Sequence, residues 1–223
     1  MTAALVKICG VKDPATAIAA ARAGADFLGF VFFRKSPRFI APERAEEIIL
    51  DLKQASFDEG FAMPRLVGLF VDAGEKELAE AAPLLTHFQF HGHEDADRCK
   101  DMGAEFGVEV IKAVPVSDAD DIAAAAGFIG AADIILFDAK PPPGAGRPGG
   151  NGVSFDWSLL SAYAGDTPYL IAGGLTPVNA AAAVKAQNGA GAFLGVDVSS
   201  GVESAPGVKD AKLIKSFIDA AKK

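Results

Sequence analysis

The 223-residue sequence is 50% apolar and 22% charged, ample material for a packed core, so intrinsic disorder is excluded. Its 21 Lys and Arg against 29 Asp and Glu leave a formal charge of −8, which offers no sequence-wide positive field for nucleic acid. The longest uninterrupted apolar run, 122–132, is mostly Ala and Gly and falls well short of the roughly 18 to 20 residues a bilayer span needs, so no membrane segment is expected.

The N-terminal stretch MTAALVKICGVKD enters a strand-like run at 5–9 directly. It lacks the basic start, long apolar stretch and small-residue cleavage site of a secretory signal, which points to the cytoplasm. A helical pattern follows at 14–23, then strand 27–33, helix 42–53, strand 66–71, helix 75–85, strand 88–91 and helix 95–106. The alternation continues with strand 108–116, helix 118–128, strand 134–138, a weaker helical run at 155–163, strand 169–172, helix 177–187, strand 193–198 and helix 211–221. Pro14, Pro42 and Pro177 sit in or near first turns, where a missing N–H costs nothing, and Gly24, Gly107 and Gly189 follow helical runs.

Eight strand–helix units in 223 residues average about 28 residues each, close to what a strand plus crossover helix requires. The economical reading is an α/β chain folded as a single (β/α)8 TIM barrel domain over 1–223, with eight parallel strands. The competing open, doubly wound sheet would carry a Gly-x-Gly-x-x-Gly turn after a strand, and none stands in the expected place. The Pro- and Gly-rich stretch 141–152 is a candidate active-site loop.

In such a barrel, chemistry collects at the C-terminal ends of the strands. Period-two alternation sends Val6 and Ile8 toward the helices and Lys7 and Cys9 inward. The same test groups Gln89 with His91, Leu136 with Asp138, and Gly195 with Asp197, so Gln89, His91, Asp138 and Asp197 should line the mouth. Lys112 is a further candidate whose face the pattern leaves open. Each residue also has a plainer reading: Cys9 as a small buried hydrophobe, Asp138 as a neutralising partner of Lys7 or Lys112, Gln89 and His91 as hydrogen-bonded packing residues. Cys9 and Cys99 are the only cysteines, too few for a disulfide framework and without zinc-site spacing. Both thiols are expected reduced, and Cys99, in a charged helical run, reads as structural or surface.

An anionic ligand would need local anchors in so acidic a chain. Gly173 and Gly174 after strand seven, with Ser199, Ser200 and Gly201 after strand eight, form the loop pair where barrels commonly hold phosphate on backbone N–H groups. Arg34-Lys35-Ser36-Pro37-Arg38 after strand two is the other anchor. As a charge run it is most simply a solvated loop, yet Arg38 follows a stiffening Pro and could grip a carboxylate with two parallel hydrogen bonds. A ligand bearing phosphate at one end and carboxylate at the other would use both anchors, with Cys9 and Asp138 flanking its middle.

The motifs KICG at 7–10, SPRFI at 36–40, LVGLFVD at 66–72, FQFHG at 88–92, LFDAK at 136–140, GGNGVSFDW at 149–157, IAGGL at 171–175 and DVSSGVE at 197–203 together resemble the phosphoribosylanthranilate isomerase family of tryptophan biosynthesis. Their order and spacing cover nearly the whole chain. The resemblance implies Cys9 as general base, Asp138 as general acid, Arg38 on the anthranilate carboxylate, and the GGL and SSG loops on phosphate. Lys7, Gln89, His91 and Asp197 are the remaining expected substrate contacts. Departures are the proline-rich loop 141–148 and Asn151, where many relatives have Thr or Ser.

The implied reaction is an Amadori rearrangement needing one acid and one base, with no metal, nicotinamide or flavin. Free carboxylates titrate near 3.9 and thiols near 8.5, so the site must raise one and lower the other, and Lys7 is placed to favour the thiolate. The expected partner is a small phosphosugar–anthranilate substrate; a monomer is the default, with no nucleic acid or membrane partner. Three alternatives remain: the related histidine-pathway aminoaldose isomerase, which uses two carboxylates; a Schiff-base aldolase using Lys112 or Lys140; and a non-catalytic phosphosugar-binding barrel.

Overall fold

Short β-branched and aromatic runs become strands here because both their faces are covered, and the intervening amphipathic runs become the helices that cover them. The computed structural model describes residues 3–141, 144, 149, 152 and 154–223. Most of the candidate loop 141–152, including Asn151, therefore lies outside the described residues.

Eight parallel strands, β1 (Leu5–Cys9), β2 (Phe27–Val31), β3 (Arg65–Phe70), β4 (His87–Phe90), β5 (Glu109–Val116), β6 (Ile134–Ala139), β7 (Tyr169–Ile171) and β8 (Phe193–Val198), form a closed barrel in sequence order. Closure comes from β1 pairing with β8, with Lys7 opposite Asp197. The expected (β/α)8 TIM barrel is what the chain adopts. Its helices are α1 (Pro14–Arg22), α2 (Pro42–Glu59), α3 (Glu75–Ala81), α4 (Ala96–Phe106), α5 (Ala119–Ala124), α6 (Ala180–Ala186) and α7 (Ala211–Ala221). Among the described residues no helix is long and apolar enough to cross a membrane.

Local chemistry sets the boundaries. The Asp13 carboxylate accepts the Thr16 N–H at 2.8 Å and starts α1, with Pro14 in the first turn. Helix α2 runs on to Glu59, past the expected stop at 53, because Gln54 to Glu59 contain no breaker until Gly60 takes the left-handed conformation that ends it. The expected helix at 155–163 is a 3-10 helix, Trp157–Ala162, in which the Asp156 side chain accepts from Ser158 two residues on and closes a tight turn. Beyond β8, a 3-10 turn (Ser200–Val202) leads into a short antiparallel pair, β9 (Glu203–Ala205) and β10 (Val208–Lys209), that periodicity did not reveal.

Two apolar layers hold the fold. Phe27, Val67, Ile111, Ala113, Ile134, Leu136, Leu170 and Ala172 fill the barrel interior. Val6, Ile8 and their counterparts pack outward against the helices, where Ile214, Phe217 and Ile218 of α7 show the three-and-four spacing of a buried stripe. Burying each such side chain contributes about 2 kcal/mol. The interior layer stops below the C-terminal strand ends, and polar side chains begin there.

Candidate active site

Cys9, the last residue of β1, is buried and lines the pocket at the mouth. Alternation along β1 turns it inward with Lys7, while Val6 and Ile8 join the outer layer. Burial pushes the Cys9 thiol above its ordinary range, and the charge of Lys7 pulls the other way without overcoming it. Lys7 itself is fully buried and does not line the mouth. Its Nζ lies 2.8 Å from Oδ1 of Asp197, and this pairing keeps it charged, its affinity for the proton raised despite burial that works against it. Lys7, expected as a substrate contact, is not among the residues that line the pocket; it lies one inward position before Cys9 on β1 and meets two that do, Asp197 and Cys9.

Asp138 near the end of β6 lines the same pocket. Oδ1 accepts the Ala139 N–H at 2.9 Å, and Oδ2 lies 3.3 Å from Nε2 of His91. Gln89 Nε2 lies 3.1 Å from Nδ1 of His91, a contact that holds the ring with its Nε2 edge toward Asp138. The alternative in which Asp138 neutralises a lysine does not hold among the described residues. Lys7 is taken by Asp197, and Lys112 by Glu94 at 3.1 Å and the Gly92 carbonyl at 2.8 Å.

Lys112 is also on the wrong face. It sits between Val110 and Val114 of the outer layer, with its ammonium 5.5 Å from the Phe128 ring centre. Lys140 is exposed, its Nζ 3.5 Å from Asp121. Neither lysine lines the pocket, which removes both candidate nucleophiles of the aldolase reading. Cys99 is fully buried in α4, and burial lifts its thiol to about 11, the state of an inert structural cysteine.

Around Cys9 and Asp138 the strand ends enclose about 790 Å³ of space, part of it open to solvent. Gln89, His91 and Asp197 face it as expected. On the β2–β3 side, Val31, Phe33, Leu69 and Val71 make an apolar wall beside Arg38. On the β7–β8 side, Gly173, Gly174, Ser199 and Ser200 make a small, polar one. Gly201 is the exception among the expected phosphate residues: it lies behind the pocket, packed against the Leu175 carbonyl. Such a cavity suits a ligand with an aryl ring at one end, a small oxyanion at the other, and an acid and a base between.

Arg38 is buried rather than solvated, which excludes the plain reading of its loop as a surface charge run. Its Nε and Nη2 donate to Glu203 at 2.7 and 2.9 Å, and Glu203 also receives Lys209 at 2.7 Å. Sequence reasoning missed both partners. Glu203 closes the DVSSGVE motif and so carried a signal; Lys209, in β10, carried none.

Among the described residues no group of three or more His, Cys, Asp and Glu side chains could hold a metal ion. The sequence pattern of the family described as N-(5'-phosphoribosyl)anthranilate (PRA) isomerase matches residues 6–220. The chain is 46% identical to the N-(5'-phosphoribosyl)anthranilate isomerase of Rhodospirillum rubrum, over all of this chain and 99% of the relative. It is 47% identical to that of Paramagnetospirillum magneticum, over 97% and 96%. Among solved structures, phosphoribosyl anthranilate isomerase from Thermotoga maritima superposes with a TM-score of 0.80 at 35% identity, covering 100% of this chain and 99% of that one. A phosphoribosyl anthranilate isomerase in complex with reduced 1-(o-carboxyphenylamino)-1-deoxyribulose 5-phosphate gives 0.78 at 33%, with the same coverage.

Proposed function

The chain belongs to the phosphoribosylanthranilate isomerase family, and from that premise we propose that Cys9 and Asp138 are the base and acid of its reaction. The activity is the aldose–ketose isomerisation of tryptophan biosynthesis, from N-(5-phosphoribosyl)anthranilate to 1-(2-carboxyphenylamino)-1-deoxyribulose 5-phosphate by an Amadori rearrangement.

Protonated Asp138 donates to the furanose ring oxygen as the anilino nitrogen lone pair pushes in and the C1–O bond breaks, leaving an iminium and a free hydroxyl. The Cys9 thiolate then takes the C2 proton, now acidified by the iminium, and the electron pair forms the enolamine. Gain of a proton at C1 and loss of the O2 proton give the ketone. Asp138 ends as carboxylate and Cys9 as thiol, so one proton must return from sulfur to oxygen, through solvent, before the next turnover.

The observation that carries this assignment is the placement of Cys9 and Asp138 in one pocket, between an Arg38 end and a Gly–Ser end. The nascent iminium supplies, beside Cys9, the positive charge that burial denies the resting thiolate, and Lys7 adds its own from below. With a proton on its Nε2, His91 stabilises the Asp138 carboxylate as it forms. Arg38 takes the anthranilate carboxylate, with the ring against Phe33, Leu69 and Val71; Gly173, Gly174, Ser199 and Ser200 take phosphate. Gly201 acts by packing behind that loop.

The proposal extends to a monomer acting as one domain over 1–223, since β1 and β8 pair to close the barrel. It also places the enzyme in the cytoplasm, where the two separate, buried thiols stay reduced. The test follows loss of fluorescence from freshly made phosphoribosylanthranilate. Cys9→Ser should bind the reduced product analogue normally yet lose roughly 10² to 10⁴ in kcat, because a hydroxyl is a poor base near neutral pH. Near-normal turnover would remove Cys9 from the mechanism.

A further inference from the structure

The Arg38 guanidinium is held from behind. Its side chain is 5% exposed and that of Glu203 4%, and the bidentate contact at 2.7 and 2.9 Å occupies the edge formed by Nε and one hydrogen of Nη2. Among the described residues the other edge, Nη1 and the remaining Nη2 hydrogen, meets no acceptor, and Arg38 lines the pocket where a ligand could take it. Glu203 is itself fixed. Lys209 Nζ reaches Oε1 at 2.7 Å and the Gly207 N–H reaches Oε2 at 3.1 Å. Lys209 also donates to the Ser199 carbonyl at 2.9 Å, and Ser199 Oγ donates to the Cys9 carbonyl at 3.1 Å.

The cluster of Arg38, Glu203 and Lys209 buries two cations with one anion. A carboxylate arriving on the free edge of Arg38 would complete the charge balance, and a guanidinium whose plane is already set loses little freedom when it arrives. We infer that Glu203, seated on Lys209, is a positioning residue that holds Arg38 in the orientation needed to grip the substrate's carboxylate. The inference rests on the reading of Arg38 as that carboxylate's anchor.

Charge and positioning make opposite demands, which gives the test its sign. Removing the Glu203 charge leaves more positive potential at the mouth, so electrostatics alone predicts tighter binding of every anion. Loss of orientation predicts weaker binding of the carboxylate ligand only. The measurement is the affinity of the full-length chain for reduced 1-(o-carboxyphenylamino)-1-deoxyribulose 5-phosphate and for inorganic phosphate, in wild type, Glu203→Gln, Arg38→Ala and the double variant.

Glu203→Gln is expected to weaken the carboxylate ligand about tenfold while leaving phosphate nearly unchanged. KM should rise by a like factor with a smaller change in kcat, and the double variant should bind no worse than Arg38→Ala alone. Unchanged or tighter carboxylate binding by Glu203→Gln, with Arg38→Ala weakened, overturns the role of Glu203 alone. Unchanged binding by Arg38→Ala overturns the anchor reading beneath it. Equal losses for both ligands in Glu203→Gln mean general disorder of the mouth and also overturn the inference. Should Glu203→Gln fail to fold by circular dichroism, Glu203→Asp, which keeps the charge but shortens the reach to Arg38, is read by the same criteria.

Discussion

Cys9 and Asp138 stand at or next to the ends of β1 and β6, and both were legible because a polar or reactive residue at the C-terminal end of a barrel strand falls at the mouth, alternation grouping Cys9 with Lys7 and Asp138 with Leu136. Lys112 lies in mid-strand and was not legible. With Val110 and Val114 outward and Ile111 and Ala113 inward, its strand is apolar on both sides and no end position marks which side a lone polar residue takes. Glu203 and Lys209 were invisible as a pair because ionic contacts across a hairpin and a distant loop have no sequence period. Replacing Asp138 by Asn is expected to keep the reduced analogue bound but to drop kcat by roughly 10² or more, since an amide cannot deliver a proton to the ring oxygen. Activity that survives while thermal stability falls would assign Asp138 to packing.

The elements were read well wherever one face alternated or a cap announced an end, and poorly where neither applied. The run 155–163 satisfied an apolar spacing but lacked the length to propagate, and the Asp156 side chain captured its first turn as a 3-10 helix. The loops after β7 and β8, expected to share a phosphate, do abut: a Cβ on Gly201 would collide with the Leu175 carbonyl. Gly201→Ala must therefore push the Ser199–Ser200 segment away from Gly173 and Gly174. The expected outcome is phosphate affinity weakened about tenfold, as inhibition by inorganic phosphate would report, with an overpacking cost of about 1 to 3 kcal/mol in unfolding. Intact phosphate affinity in a destabilised variant would mean that the two loops do not bind the group together.

At the scale of the whole molecule, an acidic chain that binds an anion concentrates its few useful cations, and the Arg38–Glu203–Lys209 cluster ties that concentration to stability. Burial works to raise the Glu203 carboxyl, but the hydrogen bonds from Arg38 and the charge and hydrogen bond of Lys209 outweigh it and hold the group at about 2, against an ordinary value of 4.5. A group depressed on folding stabilises the native state above its unfolded value, and that stabilisation is lost as pH falls through the folded one. The window is therefore pH 4.5 down to about 2. A shift of this size corresponds to about 3 kcal/mol at neutral pH, with little discount for screening because the side chain is almost fully enclosed. Urea midpoints of wild type and Glu203→Gln should then differ most at pH 6. The gap in unfolding free energy should narrow by about 2 kcal/mol by pH 3, where the unfolded wild type has taken up the proton that the native carboxylate still refuses. Other carboxylates titrate alike in both chains and cancel from the difference. A gap that stays constant from pH 6 to pH 3 would mean that Glu203 is not held ionised by its two cations, and the cluster would then not be the device that sets Arg38.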